Sequence, residues 1–394
     1  MSTLSLARLL FAITAGTHFL FVSLTLGLAA LVAITQTRAV VTGSAVRLRM
    51  VRFWGQLYVI NYAVGIVTGL LMEFQFGLNW PGLTDHARDV FGAPLAMETL
   101  VAFFVEATFL GLWIFGWDRL NRYAHLALIW VVTLTAYASA YFILVANGFL
   151  RHPVGFRRAG DELRIDSAAK LFTNPAALLP LGHIISGAFL VAGFFMAAVS
   201  AWHLRRARRG QPVDLEFFRR SLRIGLISVV LAIVPSVVFG ITQFAYMSEI
   251  KNKGSALGEI ASTLMMVAWL WMFLVALAAL IKLPFTGWLL RGRIFHRVVM
   301  MTLPLPYFAM LAGWIYREDG RQPWLIQGVL RTEDAVRPMG HGAMLASFIG
   351  ITALFAVLVL VNISLLRRHA RQGPDGAALG RAEPVESLEP APSF

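Results

Sequence analysis

The sequence predicts an all-α protein, a polytopic membrane helix bundle of about nine transmembrane helices, on three observations. Hydrophobic residues make up 58% of the 394 positions and charged residues only 14%, whereas a soluble domain carries roughly 25% charged residues. The apolar residues form runs long enough for helices of about 20 residues, the length that crosses a bilayer. Most charges lie in the short loops between these runs, where they set the orientation of the helices. The lipid bilayer therefore explains the net charge of +13, and no nucleic-acid-binding motif is present.

Nine apolar runs follow one another along the chain, and each is expected to form one helix. The first is too long for a signal peptide and lacks a small-residue cleavage site after a short apolar core, so we expect it to remain in the mature protein. The runs cover residues 6–35, 53–76, 93–117, 122–148, 176–202, 222–247, 260–281, 293–316 and 341–366.

Basic residues follow the odd-numbered runs, whereas acids offset the bases in the even-numbered loops. The basic positions are Arg38, Arg47, Arg49, Arg52, Arg119, Arg122, Arg205, Arg206, Arg208, Arg209, Arg219, Arg220, Lys282, Arg291, Arg293, Arg367, Arg368 and Arg371. The positive-inside rule then predicts an external N-terminus and a cytoplasmic C-terminus. Residues 1–366 are expected to form a single transmembrane domain. Residues 367–394, rich in Pro, Gly, Ala and Glu, are expected to form a disordered cytoplasmic tail.

Four ionisable residues, His18, Glu98, Glu106 and His183, lie inside apolar runs. Ionisable groups at membrane depth are costly and usually serve ligation, proton movement or a substrate path. Histidine is a common axial ligand of haem iron. The chain has no cysteine, which excludes covalent haem attachment through a CxxCH motif, thiolate iron–sulfur clusters and disulfides. Together these observations predict non-covalent b-type haem.

Helix geometry assigns a depth to each candidate. His183 and Met266 both fall about 10 Å inside the predicted outer boundary, at about 1.5 Å per residue, which suits a low-spin haem held by a His–Met pair. Met265 could equally be the inward methionine, and His183 could instead make an interhelical hydrogen bond. Glu98 and Glu106 are eight residues apart, within about 80° of one helix face, which suits a proton relay.

Several segments resemble subunit I of the cytochrome bd quinol oxidases. These segments are ITAGTHFLFVSLTLGLAALVA (13–33), FWGQLYVINYAVGIVTGLLMEFQFGLNW (53–80), FGAPLAMETLVAFFVEATFLGLWIFGWDRL (91–120), ILVANGFL (143–150), NPAALLPLGHIISG (174–187) and GRQPW (320–324). The resemblance extends over most of residues 5–335. It implies nine spans, a second membrane subunit as partner, and three haems near the outer face. It also implies electrons from quinol and reduction of O2 to water with cytoplasmic protons, in a bacterial cytoplasmic membrane.

The resemblance also implies residue roles. His18 matches the histidine ligand of a high-spin haem, of b or d type, and His183 with Met266 matches the axial pair of the low-spin haem b. Glu98 and Glu106 match carboxylates beside the high-spin haems and along a proton route. A further set, Arg321, Gln322 and Trp324, belongs to GRQPW, where the guanidinium is expected to contact a haem propionate.

Two positions depart from the family at the haem sites. Where the family has a glutamate that ligates the other high-spin haem, this chain has Leu311, so Met310, Glu98 or a water would have to substitute, or that haem is five-coordinate or missing. The arginine usually found two residues before the methionine ligand is Leu264 here.

The loop between the sixth and seventh runs, which is long and contacts quinol in the family, is only MSEIKNKGSALGE (247–259) here. Alignment on a Gly-x-x-Gln match places the quinol-contacting lysine of the family at Tyr246 and its glutamate at Lys251. On this alignment Tyr246 and Lys251 are the expected quinol contacts, in place of the lysine and glutamate of the family.

Two functions remain open at this point. One is a divergent bd-type oxidase subunit, which the retention of His18, Glu98 and Glu106 favours. The other is a b-type electron-transfer cytochrome that has lost or altered O2 reduction or quinol oxidation, which Leu311 favours. A channel or transporter would explain intramembrane acids, but not the common depth of His183 and Met266 or the GRQPW motif.

Overall fold

The computed structural model describes residues 1–246 and 255–380, apart from the side chains of Val101 and Arg291. Long helices make up most of this part of the chain. In chain order the helices are α1 (Thr3–Thr42), α2 (Ala45–Asn79), α3 (Pro81–Met97), a π-helix (Glu98–Phe103), α4 (Phe104–Phe115), α5 (Arg122–Arg151), α6 (Ala168–Phe172), α7 (Pro175–Ala207), α8 (Leu215–Tyr246), α9 (Ala256–Lys282), α10 (Thr286–Arg291), α11 (Arg293–Thr302), α12 (Leu305–Asp319), α13 (Thr332–Ala335), α14 (His341–Gln372) and a 3₁₀ turn (Pro374–Gly376).

Nine helical segments within the described ranges are long and apolar enough to cross a membrane. They correspond one to one with the nine predicted runs, so the all-α membrane bundle is confirmed. Three of them consist of more than one helix: the third is α3, the π-helix and α4, the fifth is α6 and α7, and the eighth is α11 and α12.

The helices extend beyond the apolar runs because their polar ends are also helical. Ser2 caps α1 by accepting a hydrogen bond from the backbone N–H of Ser5, and α1 ends at Gly43, whose φ of 63° is the left-handed conformation that glycine adopts readily. Asn121 caps α5 by accepting from the backbone N–H groups of Tyr123 and Ala124. Hydropathy marks the part of a helix that lies in hydrocarbon, whereas caps determine where it begins and ends.

The predicted start of the tail at residue 367 is wrong. Helix α14 continues to Gln372, and the chain beyond it packs on the bundle, since Leu379 is buried. The backbone N–H of Ala378 donates to Oε1 of Gln56 at 2.6 Å. Basic residues at the end of α14 ended the apolar run but not the helix. Residues 381–394 lie outside the described ranges.

Helices α1 and α7 form the centre of the bundle. In their most apolar stretches 67% and 72% of the residues are buried, whereas in the peripheral helix α14 the buried share is 11%. Small residues permit the close contact of the central pair. A Cβ on Gly27 of α1 would lie 2.2 Å from the carbonyl oxygen of Ala188 on α7. Close backbone approach through small residues is the usual way membrane helices associate.

Contacts between loops and helix ends define the two ends of the bundle. At the end where α1 begins, which is the predicted outer end, Oδ2 of Asp319 accepts a 2.6 Å hydrogen bond from the Ser255 hydroxyl. Two antiparallel hairpins lie in loops at this end, β1 (Phe156–Ala159) with β2 (Glu162–Ile165) and β3 (Trp324–Ile326) with β4 (Leu330–Arg331). At the opposite end, Arg49 bridges the carboxylates of Asp214 and Asp375.

Candidate functional site

His18 is held in one orientation by helix α2. Its Nδ1 lies 2.9 Å from Oγ1 of Thr68. The Thr68 hydroxyl in turn lies within hydrogen-bond distance of the backbone carbonyl oxygens of Val64 and Gly65. Among the described residues Nε2 of His18 has no hydrogen-bond partner, so this nitrogen is available to a ligand. A Cβ on Gly69 would lie 3.2 Å from Cε1 of the ring, so glycine provides the space that the imidazole occupies.

His183 is oriented in the same way by helix α8. Its Nδ1 lies 2.7 Å from the carbonyl oxygen of Ser236, which assigns the proton to Nδ1 because a carbonyl can only accept. Nε2 has no hydrogen-bond partner in the described part of the chain. Gly240 faces the ring, and a Cβ there would lie 3.4 Å from Cε1. A second hydrogen bond that fixes the tautomer is the usual arrangement of a metal-ligating histidine.

The two candidate methionines differ in their surroundings. Met266 is 55% exposed, whereas Met265 packs on α12, where its sulfur would lie 2.7 Å from a Cβ on Gly313. The contact with Gly313 makes Met265 part of the α9–α12 interface. Met266 therefore keeps a largely exposed side chain, and its role as a ligand of the low-spin haem stays a prediction from the sequence.

Leu311 faces the same region of the bundle as His18. A Cβ on Gly16, two residues before His18, would lie 3.2 Å from Cδ2 of Leu311. Trp314 lies beside it and contacts Phe19 edge to face, with ring centroids 5.8 Å apart. The side chain at position 311 thus packs on α1 near His18.

Glu98 begins the π-helix and takes part in a hydrogen-bonded chain across three helices. Its Oε1 accepts a 2.6 Å hydrogen bond from the Ser139 hydroxyl of α5. Oγ1 of Thr99 lies 3.1 Å from Oε2 of Glu98 and 3.1 Å from Oε1 of Glu73 on α2. Thr99 has one hydroxyl proton, so it can donate to only one of these carboxylates at a time. When both contacts are hydrogen bonds, one of the two carboxyl groups carries a proton.

The π-helix aligns Glu98 with Glu106 better than the sequence indicated. A π-turn acts as about one inserted residue, which reduces the angle between the two side chains from about 80° to about 20°. Glu106 is buried, and its Oε1 has no hydrogen-bond partner within the described ranges. Tyr58 and Tyr62 of α2 interact electrostatically with Glu106. Their hydroxyl groups are also buried without a partner among the described residues.

The GRQPW residues stabilise the loop after α12. Arg321 is buried and pairs with Glu318, and it also donates to the carbonyl oxygen of Leu325 at 3.3 Å. Oε1 of Gln322 accepts a 3.1 Å hydrogen bond from Thr332. The Trp324 ring lies 5.7 Å from the guanidinium carbon of Arg331. These contacts account for the motif locally, and Nε of Arg321 is left buried with no partner in the described chain.

One of the two quinol candidates lies within the described residues. Tyr246 ends α8, is 44% exposed, and contacts the His152 ring with centroids 5.8 Å apart. Lys251 lies outside the described residues.

Three further histidines near helix ends are buried and hydrogen-bonded. His125, His203 and His296 are 5%, 3% and 0% exposed. His125 bonds Gln36 through Nδ1 at 3.0 Å and the carbonyl oxygen of Trp113 through Nε2 at 2.9 Å. Both ring nitrogens are used, so this residue is part of the packing and not a haem ligand.

Comparison with known proteins identifies the family. The profile of the family described as cytochrome bd terminal oxidase subunit I matches residues 6–259 and 259–374. This chain belongs to that family. It is 32% identical to cytochrome bd ubiquinol oxidase subunit 1 of Bacillus subtilis, over 95% of each chain. It is also 32% identical to cytochrome bd-II ubiquinol oxidase subunit 1 of Escherichia coli, over 97% of this chain and 99% of that one.

The bd oxidase structure from Geobacillus thermodenitrificans has the same fold. It is 24% identical, with a TM-score of 0.83 over 94% of this chain and 99% of that one. The family resemblance expected from the sequence motifs is therefore confirmed, and so is the assignment to an oxidase subunit.

The residues of this bd-family chain fit haem as a ligand. Two histidines each have one ring nitrogen bonded and the other available, and each faces a glycine that leaves room beside the ring. Within the described ranges no three His, Cys, Asp or Glu side chains converge as they would around a bare metal ion. A haem iron needs only one or two axial protein ligands, because the macrocycle supplies the others.

Sequence reasoning missed the residues that position the candidates. Thr68, Ser139 and Thr99 are ordinary hydroxyl residues in apolar helices, where Ser and Thr commonly bond their own helix. The available signal was that Thr99 directly follows Glu98 and that Thr68 and Gly69 are adjacent, but neither pattern is specific without the fold.

Proposed function

We propose that this chain is the haem-binding subunit of a bd-type quinol:oxygen oxidoreductase. Its electron path would run from quinol through a low-spin haem b held by His183 and Met266 to a high-spin haem, of b or d type, held by His18. The observation that carries the proposal is the shared geometry of the two histidines, in which Nδ1 is hydrogen-bonded and Nε2 is available.

The bound haems would supply electron transfer and the binding and reduction of O2 to water. The chain itself would fix the tautomer and direction of each imidazole, through Thr68 for His18 and the Ser236 carbonyl for His183. An imidazole that donates from Nδ1 presents a neutral, more basic Nε2, which strengthens ligation.

Glu106 and Glu98 would deliver protons to the site. The two carboxyl groups are close enough to interact electrostatically, and the π-helix places them near one helix face. The Ser139 hydroxyl would hold Glu98 in place, and Thr99 would allow a proton to be shared between Glu98 and Glu73. Carboxyl groups and hydroxyl groups in series are the usual parts of a proton relay.

The charge distribution supports a topology in which the N-terminus is external and the C-terminus cytoplasmic, in a bacterial cytoplasmic membrane. In this topology Glu106 lies nearer the cytoplasm than Glu98, so protons would enter from that side. His18 and His183 would both lie toward the outer face.

A second membrane subunit would complete the enzyme. The relatives are named as subunit 1 of their oxidases. Helix α14 leaves most residues of its apolar stretch exposed, so a second subunit could pack there. Quinol would bind at the outer end, where Tyr246 and Lys251 are candidate contacts.

A b-type electron-transfer cytochrome is the second candidate function. The observation that favours it is Leu311, which packs on α1 near His18 where the family has an iron ligand. A hydrocarbon side chain cannot bind iron, so one high-spin haem would be altered or absent.

A reduced-minus-oxidised visible spectrum of the purified complex, with haem extraction and a carbon monoxide difference spectrum, separates the two functions. We expect a low-spin haem b together with a haem that binds carbon monoxide. A single low-spin haem with no response to carbon monoxide would overturn the oxidase proposal and establish the electron-transfer cytochrome. Absence of both haems would contradict both functions.

A further inference from the structure

A groove lies between helices α9 and α11 at the predicted cytoplasmic end of the bundle. Its volume is about 640 Å³, and most of the side chains that line it are apolar. The groove faces outward, since three of these side chains, Trp271, Leu274 and Ile294, are 46%, 52% and 77% exposed. On a helix bundle that crosses a membrane, an apolar surface of this kind is a contact site for lipid or for another membrane-embedded group.

The groove has the length of one leaflet of the bilayer. Between Trp271 and Lys282, which both line it, helix α9 advances about 16 Å at about 1.5 Å per residue. The hydrocarbon core of a bilayer is about 30 Å thick, so one leaflet contributes about 15 Å. Because Lys282 is the last residue of α9, the groove extends from the end of the span to about the middle of the membrane. These dimensions suit one acyl chain of the cytoplasmic leaflet.

Two cationic side chains, Lys282 and Arg293, lie at the end of this groove that is nearer the cytoplasm. Nζ of Lys282 lies 5.6 Å from the centroid of the Phe295 ring and 5.8 Å from that of the Trp288 ring. Cation–π contacts hold the ammonium group in place and leave its charge intact. Among the described residues neither Lys282 nor Arg293 forms an ion pair with a carboxylate.

Arginines from the end of α7 add to the positive charge at this position. Arg208 lies close enough to Arg205 and Arg293 to interact with both electrostatically. Its Nη2 donates to the carbonyl oxygen of Leu290 and lies 3.2 Å from Nδ1 of His296. The other ring nitrogen of His296 bonds a backbone carbonyl oxygen and therefore carries the proton, so Nδ1 accepts from Arg208. The positive-inside rule accounts for the sign of the charge at this end, whereas these contacts fix the guanidinium beside the groove.

We propose that the groove between α9 and α11 binds one anionic phospholipid of the cytoplasmic leaflet. Its phosphate contacts Lys282 and Arg293, and one acyl chain lies along α9. Basic pockets between membrane helices on the cytoplasmic side are common sites for anionic headgroups. A zwitterionic lipid fills the apolar part equally well but brings its own positive charge to the two cations, so the site selects the anionic lipid. The site is independent of the haems and of quinol.

The test is the number of phospholipids that the purified complex retains. The complex is reconstituted with equal amounts of phosphatidylglycerol and phosphatidylcholine, transferred to a mild detergent, and examined by native mass spectrometry. We expect the parent to retain phosphatidylglycerol selectively, and the double variant Lys282→Gln/Arg293→Gln to bind one fewer, with an affinity at the site lower by about 10- to 30-fold. Each single substitution should lower retention by a smaller factor, so the test does not depend on folding of the double variant.

The matched control for charge is the double variant Arg367→Gln/Arg368→Gln. These two arginines are exposed near the predicted cytoplasmic end of α14 and do not line the groove. The control loses the same charge and should retain phosphatidylglycerol as the parent does. An equal loss in this control would overturn the inference, because general attraction to a basic surface would then explain the binding.

The apolar part of the site has its own variant. Ala278 lines the groove, so Ala278→Phe fills the space of the acyl chain and leaves every charge in place. We expect it to lose the same phosphatidylglycerol, whereas Leu277→Phe, at a neighbouring position that is 45% exposed and outside the groove, should not. Unchanged retention in both the charge variant and Ala278→Phe would overturn the inference. Equal retention of phosphatidylcholine at the site, or a polypeptide bound there instead of phospholipid, would overturn it as well.

Discussion

Nδ1 of His18 lies 2.9 Å from Oγ1 of Thr68, and this contact sets the direction of the imidazole that we propose as an iron ligand. Thr68 has no exposed surface, so water cannot replace its hydroxyl without repacking of α1 and α2. Thr68→Val keeps the shape of the side chain and removes the hydrogen bond. We expect the variant to bind the high-spin haem about 10- to 100-fold more weakly, measured by haem extraction and by the carbon monoxide difference spectrum.

Thr133→Val is the matched control for this change. Thr133 is equally buried and bonds only the carbonyl oxygen of Ile129 in its own helix, at 2.8 Å. It should keep the full haem content. Equal haem content in Thr68→Val and the parent would contradict the role of Thr68 in orienting His18.

We expect Gly69 and Gly240 to differ in how well they tolerate substitution by alanine, because each glycine faces the ring of a candidate histidine at a different distance. A Cβ on Gly69 would lie 3.2 Å from Cε1 of His18, which is closer than an ordinary contact, whereas a Cβ on Gly240 would lie 3.4 Å from Cε1 of His183. We therefore expect Gly69→Ala to shift the spectrum or reduce the content of the high-spin haem. Gly240→Ala should leave the low-spin haem almost unchanged. Absorption spectra of both variants provide the comparison.

Gly65, which is also on α2, serves as the control for the effect of a glycine-to-alanine change on helix propensity. Gly65 lies one turn before Gly69, and its Cβ would meet only Cβ of Phe21 at 3.5 Å. Gly65→Ala should have the parent spectrum. If it perturbed the high-spin haem as much as Gly69→Ala does, crowding of His18 would not be the cause.

Ser139 offers a test of the proton route that leaves the haem ligands untouched. Its hydroxyl donates to Oε1 of Glu98 at 2.6 Å, so Ser139→Ala frees that carboxylate oxygen. We expect slower proton uptake during turnover with an unchanged haem spectrum. Ser200→Ala removes a buried serine that, among the described residues, bonds only the carbonyl oxygen of Met196 in its own helix, and it should turn over normally. Normal proton uptake in Ser139→Ala would remove Ser139 from the route.

The sequence was sufficient to predict the nine spans and the family because both depend on local patterns. An apolar run of about 20 residues has few structures open to it in a bilayer, and the motifs around His18 and His183 are continuous segments. The end of α14 was not predictable in the same way. Basic residues after 366 end the apolar run, but a helix continues through them to Gln372.

The details of the site depended on contacts between distant segments, which the sequence does not specify. Thr68 is 50 positions from His18, and Ser139 is 41 from Glu98. The π-helix at Glu98–Phe103 has no sequence signal that separates it from an α-helix. His125 also depends on distant segments, since its two ring nitrogens bond Gln36 and the carbonyl oxygen of Trp113.

Leu311→Glu tests whether the altered ligand position still faces a haem pocket. Leu311 contacts α1 at Gly16, two residues before His18. If a pocket is present, a carboxylate at this position would meet iron, and we expect the content of high-spin haem to rise. Haem extraction and the carbon monoxide difference spectrum measure the change.

The matched control is Leu311→Gln, which has a similar size and polarity but a neutral amide. It should not raise the haem content. If Leu311→Glu left haem content unchanged and lowered stability, the pocket would be closed, because a buried polar group without a partner is destabilising. That result would favour the electron-transfer function.

Tyr58 and Tyr62 are the residues that we expect to extend the proton route beyond Glu106. Their rings lie 5.8 Å apart on α2, and both interact electrostatically with Glu106. Their buried hydroxyl groups have no protein partner within the described ranges, and ordered water is the common partner of such groups. Water held between these hydroxyls and Glu106 would conduct protons. We therefore expect Tyr62→Phe to slow proton uptake several-fold while the haem spectrum stays the same, with Tyr58→Phe acting in the same direction.

Thermal stability separates this role from simple packing. An unsatisfied buried hydroxyl costs about 1–3 kcal/mol, so removing one from a dry site raises the melting temperature and leaves proton uptake unchanged. Removing a hydroxyl group that is hydrogen-bonded to a chain of water molecules instead slows proton uptake and does not raise the melting temperature. Tyr137→Phe is the control, since its hydroxyl donates to the carbonyl oxygen of Leu26 at 3.2 Å and is not part of the proposed route. Higher stability with normal proton uptake in both α2 variants would limit the route to the carboxylates, because the tyrosines would then only fill space between helices.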